Sequence, residues 1–267
     1  MILRPRLSPR NNRSRSVRAG TMDELDYLFI LTAYVVAGSI KGLTGIGFST
    51  SCLPIMALRL DLKVAIPLVI VPSIVSNLAV MVQAGRFRHA IRRFWPLYLA
   101  SLPGLLIGLS ILVVIRIDTA KAILGLVLIH YALWALSNQP YSFPERWERW
   151  LKIPAGFCTG FVNGLTGSQV MPVLPYLLSL NLQKNTFVQA INISFTLSSL
   201  VMLFGMDHLG YLAPQTFLIA VTGLLPVLTA VYLAGRLQKR LSSTHYRKLV
   251  LSFLLFMGLI LLVRVLL

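Results

Sequence analysis

Acidic residues are scarce in this chain and absent from its long apolar stretches. The eight that occur, Asp23, Glu24, Asp26, Asp61, Asp118, Glu145, Glu148 and Asp207, fall at segment ends, in loops or in a linker. Carboxylates inside a membrane are the usual equipment of proton relays and cation pathways. Their absence argues against a carboxylate-relay pump and against a cation channel ringed by acids. Cysteine is scarcer still. Cys52 and Cys158 stand alone, without CxxC spacing or a nearby histidine, which points to neither a metal site nor a disulfide. His89, His208 and His245 lie near segment ends without metal-ligand spacing, and His130 sits in an apolar stretch where a hydrogen bond between helices is its ordinary role. The chain has no Gly-x-Ser-x-Gly elbow, no Walker-type phosphate loop and no HExxH helix. An integral membrane enzyme is therefore not expected, and neither is a cofactor.

What the chain has in abundance is apolar sequence. Of 267 residues 56% are hydrophobic and 12% charged, and the mean hydropathy is +0.76. The few charges mark where water begins. Uncharged stretches of 22 residues separate Lys63 from Arg86, Arg93 from Arg116 and Lys184 from Asp207, and one of 31 separates Lys152 from Lys184. About 20 apolar residues suffice to cross the hydrocarbon as a helix. With the stretch after Lys121 and with residues 27–58, 211–235 and 249–267, the count is eight segments, four per half. A β-barrel would alternate apolar and polar residues over shorter runs. The expectation is an all-α polytopic membrane protein of about eight transmembrane helices in two homologous repeats, each with a glycine-broken helix. Its parts are a basic tail at 1–22, a first four-helix repeat at 23–136, a cytoplasmic linker at 137–152 and a second repeat at 153–267.

The net charge of +17 does not point to nucleic acid, because the basic residues gather at segment ends, as in Arg86, Arg88, Arg92 and Arg93. That is the pattern that orients helices with their positive ends in the cytoplasm. The tail adds Arg4, Arg6, Arg10, Arg13, Arg15 and Arg18. It either contacts anionic lipid or precedes a true start at Met22. If all eight segments cross fully, the loop holding Arg236, Lys239, Arg240, Arg247 and Lys248 falls outside, against the rule. If the glycine-broken segments dip in and return, that loop moves inside and the N-terminus moves outside. Charge alone leaves these alternatives open.

Gly42-Leu43-Thr44-Gly45 recurs as Gly164-Leu165-Thr166-Gly167, an offset of 122 residues. At the same offset Leu58 and Leu60 meet Leu180 and Leu182, Ser76 meets Ser198 and Leu78 meets Leu200, and one residue out of step Leu53-Pro54 meets Leu174-Pro175. Paired Gly/Pro-interrupted segments in the two halves of a membrane protein point to a transport site. A helix broken there frees backbone amides, and the dipole of the resumed helix favours an anion. The resumed pieces are expected near residues 47–51 and 168–171. The competing reading is a small-residue packing face. Lys41, directly before Gly42, is the only cation inside an apolar stretch away from a chain end, with Asn163 at the matching position. It either attracts an anion or snorkels to an interface. The expected substrate-binding set is Lys41, Thr44, Gly45, Gly47, Ser49, Asn163, Thr166, Gly167, Ser168 and Gln169. Ser73, Ser76, Asn77, Gln189, Asn192, Ser194 and Ser199 form a wider polar group nearby.

Residues 37–48, Ala-Gly-Ser-Ile-Lys-Gly-Leu-Thr-Gly-Ile-Gly-Phe, followed by Leu53-Pro54, and residues 160–167, Gly-Phe-Val-Asn-Gly-Leu-Thr-Gly, followed by Leu174-Pro175, resemble the two repeat signatures of the sulfite exporter TauE/SafE family. The resemblance runs from about residue 28 to the C-terminus. It implies a multi-pass permease of the bacterial inner membrane that moves sulfite, sulfonates or related small anions. The expected function is thus a secondary transporter of a small anion, with a passive anion channel or a membrane assembly partner as alternatives. Its expected partners are the anionic substrate and the lipid bilayer, with a coupling ion and a homo-oligomer left open and no nucleic acid.

Overall fold

The computed structural model describes residues 23–137, 145–238 and 243–266. The expected basic tail and residues 138–144 of the expected linker lie outside the described residues. Those described are helical, with no strand among them. In the first half, α1 (Glu24–Thr44) is followed by the short α2 (Phe48–Ala57), then α3 (Leu62–Ala84), α4 (Phe87–Val114) and α5 (Ile117–Leu136). The second half runs α6 (Glu145–Thr166), the short α7 (Val173–Ser179), α8 (Lys184–His208), α9 (Pro214–Thr222), α10 (Leu224–Gln238) and α11 (Ser243–Leu266). Helix α6 begins within the stretch expected to be linker. Seven helices among the described residues are long and apolar enough to cross a membrane: α1, α3, α4, α5, α8, the α9–α10 pair and α11.

Both glycine-broken segments turn back on themselves. Gly45 (φ 77°) and Gly167 (φ 75°) adopt the left-handed conformation that glycine reaches without steric cost. In the first half the chain then descends beside its own beginning. Arg59, just past α2, pairs with Asp26 and with Asp23 (3.3 Å), the capping residues of α1. In the second half, Tyr176 of α7 donates to the Glu148 carbonyl near the start of α6 (3.1 Å). Of the two alternatives that charge left open, the structure takes the one in which residues 27–58 and 153–181 enter and return. Hydropathy measures the length of an apolar run and is blind to a reversal within it.

The direction of each helix follows. Helix α3 starts at the same end as α1, since Tyr34 reaches the Leu68 carbonyl (2.7 Å) and Lys41 reaches Asn77. Pro72 lacks the N–H that would bond the Leu68 carbonyl within the helix, and the tyrosine hydroxyl takes that place. Helix α4 runs back, α5 returns, and α6 enters from the end opposite to α1. One end of the bundle thus carries Asp23, Glu24, Asp26, Asp61, Asp118 and Asp207, beside Arg59, Lys63, Arg116, Lys121 and Arg264. The other carries Arg86, Arg88, Arg92, Arg93, Arg149, Lys152, Lys184, Arg236 and Lys248. At this basic end Arg93 and Lys152 both pair with Glu148, at 2.8 and 3.3 Å.

Helix pairing mirrors between the halves. Helix α6 packs along α4 and α1 along α10, while α3 meets α8 and α5 meets α11. The two closest pairs rest on glycines four residues apart, the spacing that lets apolar helices approach within backbone contact. Gly156, Gly160 and Gly164 face the carbonyls of Leu97, Ser101 and Leu105, and Gly104 and Gly108 face those of Phe157 and Phe161. Gly38 and Gly42 lie against Val227, Ala230, Val231 and Ala234. A Cβ at Gly160 would stand 1.9 Å from the Ser101 carbonyl oxygen. Gly160→Ala should therefore cost at least the roughly 1–3 kcal/mol typical of overpacking. Thermal unfolding in detergent should show this loss, and Ser110→Ala, on the exposed face of α4, should leave the midpoint unchanged.

Candidate functional site

The repeated Gly-Leu-Thr-Gly divides its work by residue. Its first glycine, Gly42 or Gly164, packs a helix against a neighbour, and its last, Gly45 or Gly167, reverses the chain. The threonine between them braces the break. The Thr44 hydroxyl lies 2.9 Å from the Ile40 carbonyl and accepts from the Ile46 N–H at 3.2 Å, and Thr166 does the same with Val162 (2.7 Å) and the Ser168 N–H (3.1 Å). Both threonines, expected to bind substrate, spend their hydroxyls on the backbone. The packing reading of the motif thus holds at its first glycine, while its last glycine breaks the helix.

Lys41, in the last turn of α1, is 1% exposed and does not snorkel. Its ammonium donates to the side-chain oxygens of Asn77 on α3 and Asn192 on α8, the latter at 3.2 Å. Asn192 in turn donates to the Val188 carbonyl (2.8 Å) and lies 3.5 Å from that of Gly45. Among the described residues no carboxylate pairs with Lys41. The charge is held by two amide dipoles and by the negative end of α1. Burying an ammonium on such terms is costly.

Helix α2 resumes at Phe48, within the expected window, with Gly47 (φ 88°) as its N-cap. Its first intrahelical bond runs from Ser51 to Gly47, so the N–H groups of Phe48, Ser49 and Thr50 precede the ladder. Gly47, Thr50 and Ser51 form the inner wall of a cavity of about 580 Å³. The cavity is lined also by Thr44, by Val170 and Leu174 of the second half, by Tyr131 of α5, and by Leu251 and Lys248 of α11. With Leu136, Phe187 and Lys248 around its mouth, it opens at the basic end. Lys41 is not in its wall. The residue one position before it, Ile40, is.

The second break is built differently. Helix α7 starts at Val173, later than the expected 168–171, after Pro172, and has seven residues. Asn163 is fully buried with neither side-chain nitrogen nor oxygen bonded, and the Ser168 hydroxyl is likewise unpaired. Gln169 donates through Nε2 to the Ser199 hydroxyl (2.8 Å), leaving Oε1 without a partner. Asn163, Gly167, Gln169 and Ser199 meet Ser49 of the first break around a small void of about 10 Å³, lined also by Leu53, Ile66, Val69, Ile70 and Met202. Ser49 itself is hydrogen-bonded to Ser73 (2.8 Å).

The two breaks are thus brought together, with Ser49 facing the second and Val170 facing the first. Ser168 stands apart from both linings. The pairing of Lys41 with Asn77 and Asn192 has no sequence signal, because the partners lie 36 and 151 residues away. Tyr131 and Lys248 were outside the expected set, and only the basic start of α11 hinted at the second. A protein-family model described as Sulfite exporter TauE/SafE matches residues 30–261. Neither the curated proteins nor the solved structures gave a match. Matched over nearly its whole described length, the chain belongs to the sulfite exporter TauE/SafE family of membrane transporters.

Proposed function

We propose that this protein is a secondary transporter of a small anion, a sulfur oxyanion such as sulfite or a sulfonate, and that the anion binds where the first break meets the large cavity. The observation that carries this reading is the buried Lys41 ammonium, which has amide oxygens but no carboxylate around it. A buried cation without a counter-charge creates a positive potential in a low-dielectric core, and a mobile anion relieves it. The amides at the start of α2 add the positive end of a helix dipole on the cavity wall. Thr50 and Tyr131 line the same wall. Lys41 acts there through the field and through Asn192, one layer behind the surface the anion touches.

The positive-inside bias places the basic end in the cytoplasm, in a bacterial inner membrane. The cavity then faces the cytoplasm, and the loop with Arg236 and Lys248 obeys the rule. A passive channel is less well supported, because it needs a passage through the core, and the void where the two breaks meet is, at about 10 Å³, far too small for an oxyanion. Alternating exposure of one site fits that geometry better.

Flux into proteoliposomes, with sulfite, sulfate, thiosulfate, taurine, sulfoacetate and small carboxylates compared under set gradients, tests the reading. Saturable transport of one anion is expected. Lys41→Met should lower its kcat/KM roughly tenfold, about 1.4 kcal/mol, as expected for a charge that acts through the field and not by contact. Equal losses of flux and of folded protein would assign Lys41 a structural role instead. A second measurement tests orientation. A cysteine replacing Lys248 should react with a membrane-impermeant maleimide from the cytoplasmic face alone, and one replacing Asp118 from the opposite face alone.

A further inference from the structure

Helix α4 has protein on one side only. Its inner side packs along α6, where the carbonyls of Leu97, Ser101 and Leu105 meet glycines, and against α8, where the Tyr98 hydroxyl donates to the Ala190 carbonyl (3.1 Å). No residue of α4 lines either cavity. Its outer side carries Arg88, Arg92, Trp95, Leu99 and Leu106, at a spacing that sets all five on one helical face. Each is exposed, the apolar three by 55, 54 and 52%.

Neighbouring arginines of this helix are used differently. Arg93 takes both carboxylate oxygens of Glu148, at 2.9 and 2.8 Å, and so fastens α4 to α6. Arg88 and Arg92 have no ion pair or hydrogen bond among the described residues. Their depth follows from helix length. Helix α4 has 28 residues, about 42 Å at 1.5 Å per residue, against roughly 30 Å of hydrocarbon. Its uncharged run begins only after Arg93, so the surplus lies at the basic end. Arg92 then stands at the border, Arg88 about 6 Å above it and Trp95 about 4.5 Å below it. These are the levels of the lipid head groups and of the interfacial layer in which tryptophan settles.

We infer that the outer face of α4 at the basic end is a binding site for an anionic phospholipid, with its phosphate at Arg88 and Arg92 and an acyl chain along Trp95, Leu99 and Leu106. Guanidinium groups match phosphate oxygens in pairs. Residues four apart on a helix stand about 6 Å apart, so one head group can meet both. A zwitterionic head group brings its own cation to a place that already holds two positive charges and no bonded carboxylate; a phosphatidylglycerol head group does not. The bound lipid ties the glycine-packed α4–α6 pair to the membrane surface. The site stands apart from the anion cavity and does not depend on what that cavity carries.

Tryptophan quenching by brominated acyl chains tests this in the full-length protein. Trp134→Phe, Trp147→Phe and Trp150→Phe leave Trp95 as the reporter. The protein is reconstituted in mixtures of phosphatidylglycerol and phosphatidylcholine with one of the two brominated. Phosphatidylglycerol should associate at Trp95 roughly tenfold more strongly than phosphatidylcholine, and Arg88→Gln together with Arg92→Gln should bring the two lipids level. Inorganic phosphate in excess should leave the preference in place; its loss would assign the arginines to free phosphate and overturn the lipid site. Equal association before mutation, or a preference that survives removal of both arginines, would overturn it as well. So would an equal preference reported by Trp134 alone, on α5, since the whole basic end would then attract lipid without a site. If the variant with three substitutions fails to fold, the same ratio read from all four tryptophans, with and without the two arginines, carries the test.

Discussion

Two helices, α1 and α6, stop inside the apolar core, and the rest of the molecule is arranged around the polar groups their ends release. Backbone N–H and C=O groups left unbonded in hydrocarbon cost several kcal/mol each. A chain reversal at that depth is therefore tolerated only where protein or a water-filled cavity surrounds it. Here the threonine hydroxyls of Thr44 and Thr166 bind the backbone on both sides of each break. Glycines bring α4 onto α6 and α10 onto α1 so closely that the broken helices are enclosed by neighbouring backbone rather than by lipid. Site and packing depend on each other, since the close contacts at Gly42 and Gly164 lie one turn from the left-handed glycines that open the breaks.

From that constraint comes the unequal chemistry of the two halves. At the first break the resumed helix is long enough to carry a dipole, and Lys41 supplies a charge. At the second, the lysine position is Asn163 and the resumed helix is delayed to Val173. One break is electropositive and open to a large cavity, while the other is neutral, rich in oxygens and closed. At the matching positions Lys41 corresponds to Asn163, Gly47 to Gln169 and Thr50 to Pro172, and these differences set the two breaks apart.

Much of this was legible in the residues. The repeated motif marked both breaks, the uncharged runs gave the long helices, and the isolated Lys41 marked the electropositive one. Gly156, Gly160 and Gly164 carried their packing role in plain four-residue spacing. The reversal of the broken segments was legible only as one of two alternatives, raised by the basic loop before α11, because it depends on a backbone angle at Gly45 and Gly167 that leaves hydropathy unchanged. Nor were the partners of Lys41. Asn77 and Asn192 reach it through the meeting of α3 and α8 with α1, and contacts so distant in sequence leave no local pattern. The late start of α7 follows from Pro172 at its N-cap, where the first half has Thr50 inside α2.

The opposed entry of the two hairpins bears on how a site could be exposed to each side in turn. In this conformation the cavity runs from the basic end along α5 and α11 to the tip of the first hairpin. The second hairpin enters from the basic end, and its tip points the other way. Helices α3 and α8 cross between the tips, joined by Thr196 and Met81 (3.6 Å) as well as by the two amides on Lys41. If the halves exchanged arrangements, the residues 122 positions on from Thr44 and Gly47, which are Thr166 and Gln169, would come to line an opening at the acidic end. Polar contacts at that end among the described residues include Arg59 with Asp23 and Asp26, Lys63 with the Val113 carbonyl (3.0 Å), and Arg264 with the Leu58 carbonyl. Exposed ion pairs of this kind are worth only about 0–1 kcal/mol each. Opening that end would therefore cost little in ion pairs, and its main expense would be uncovering the apolar side chains packed there, such as Leu60, Leu62 and Leu112.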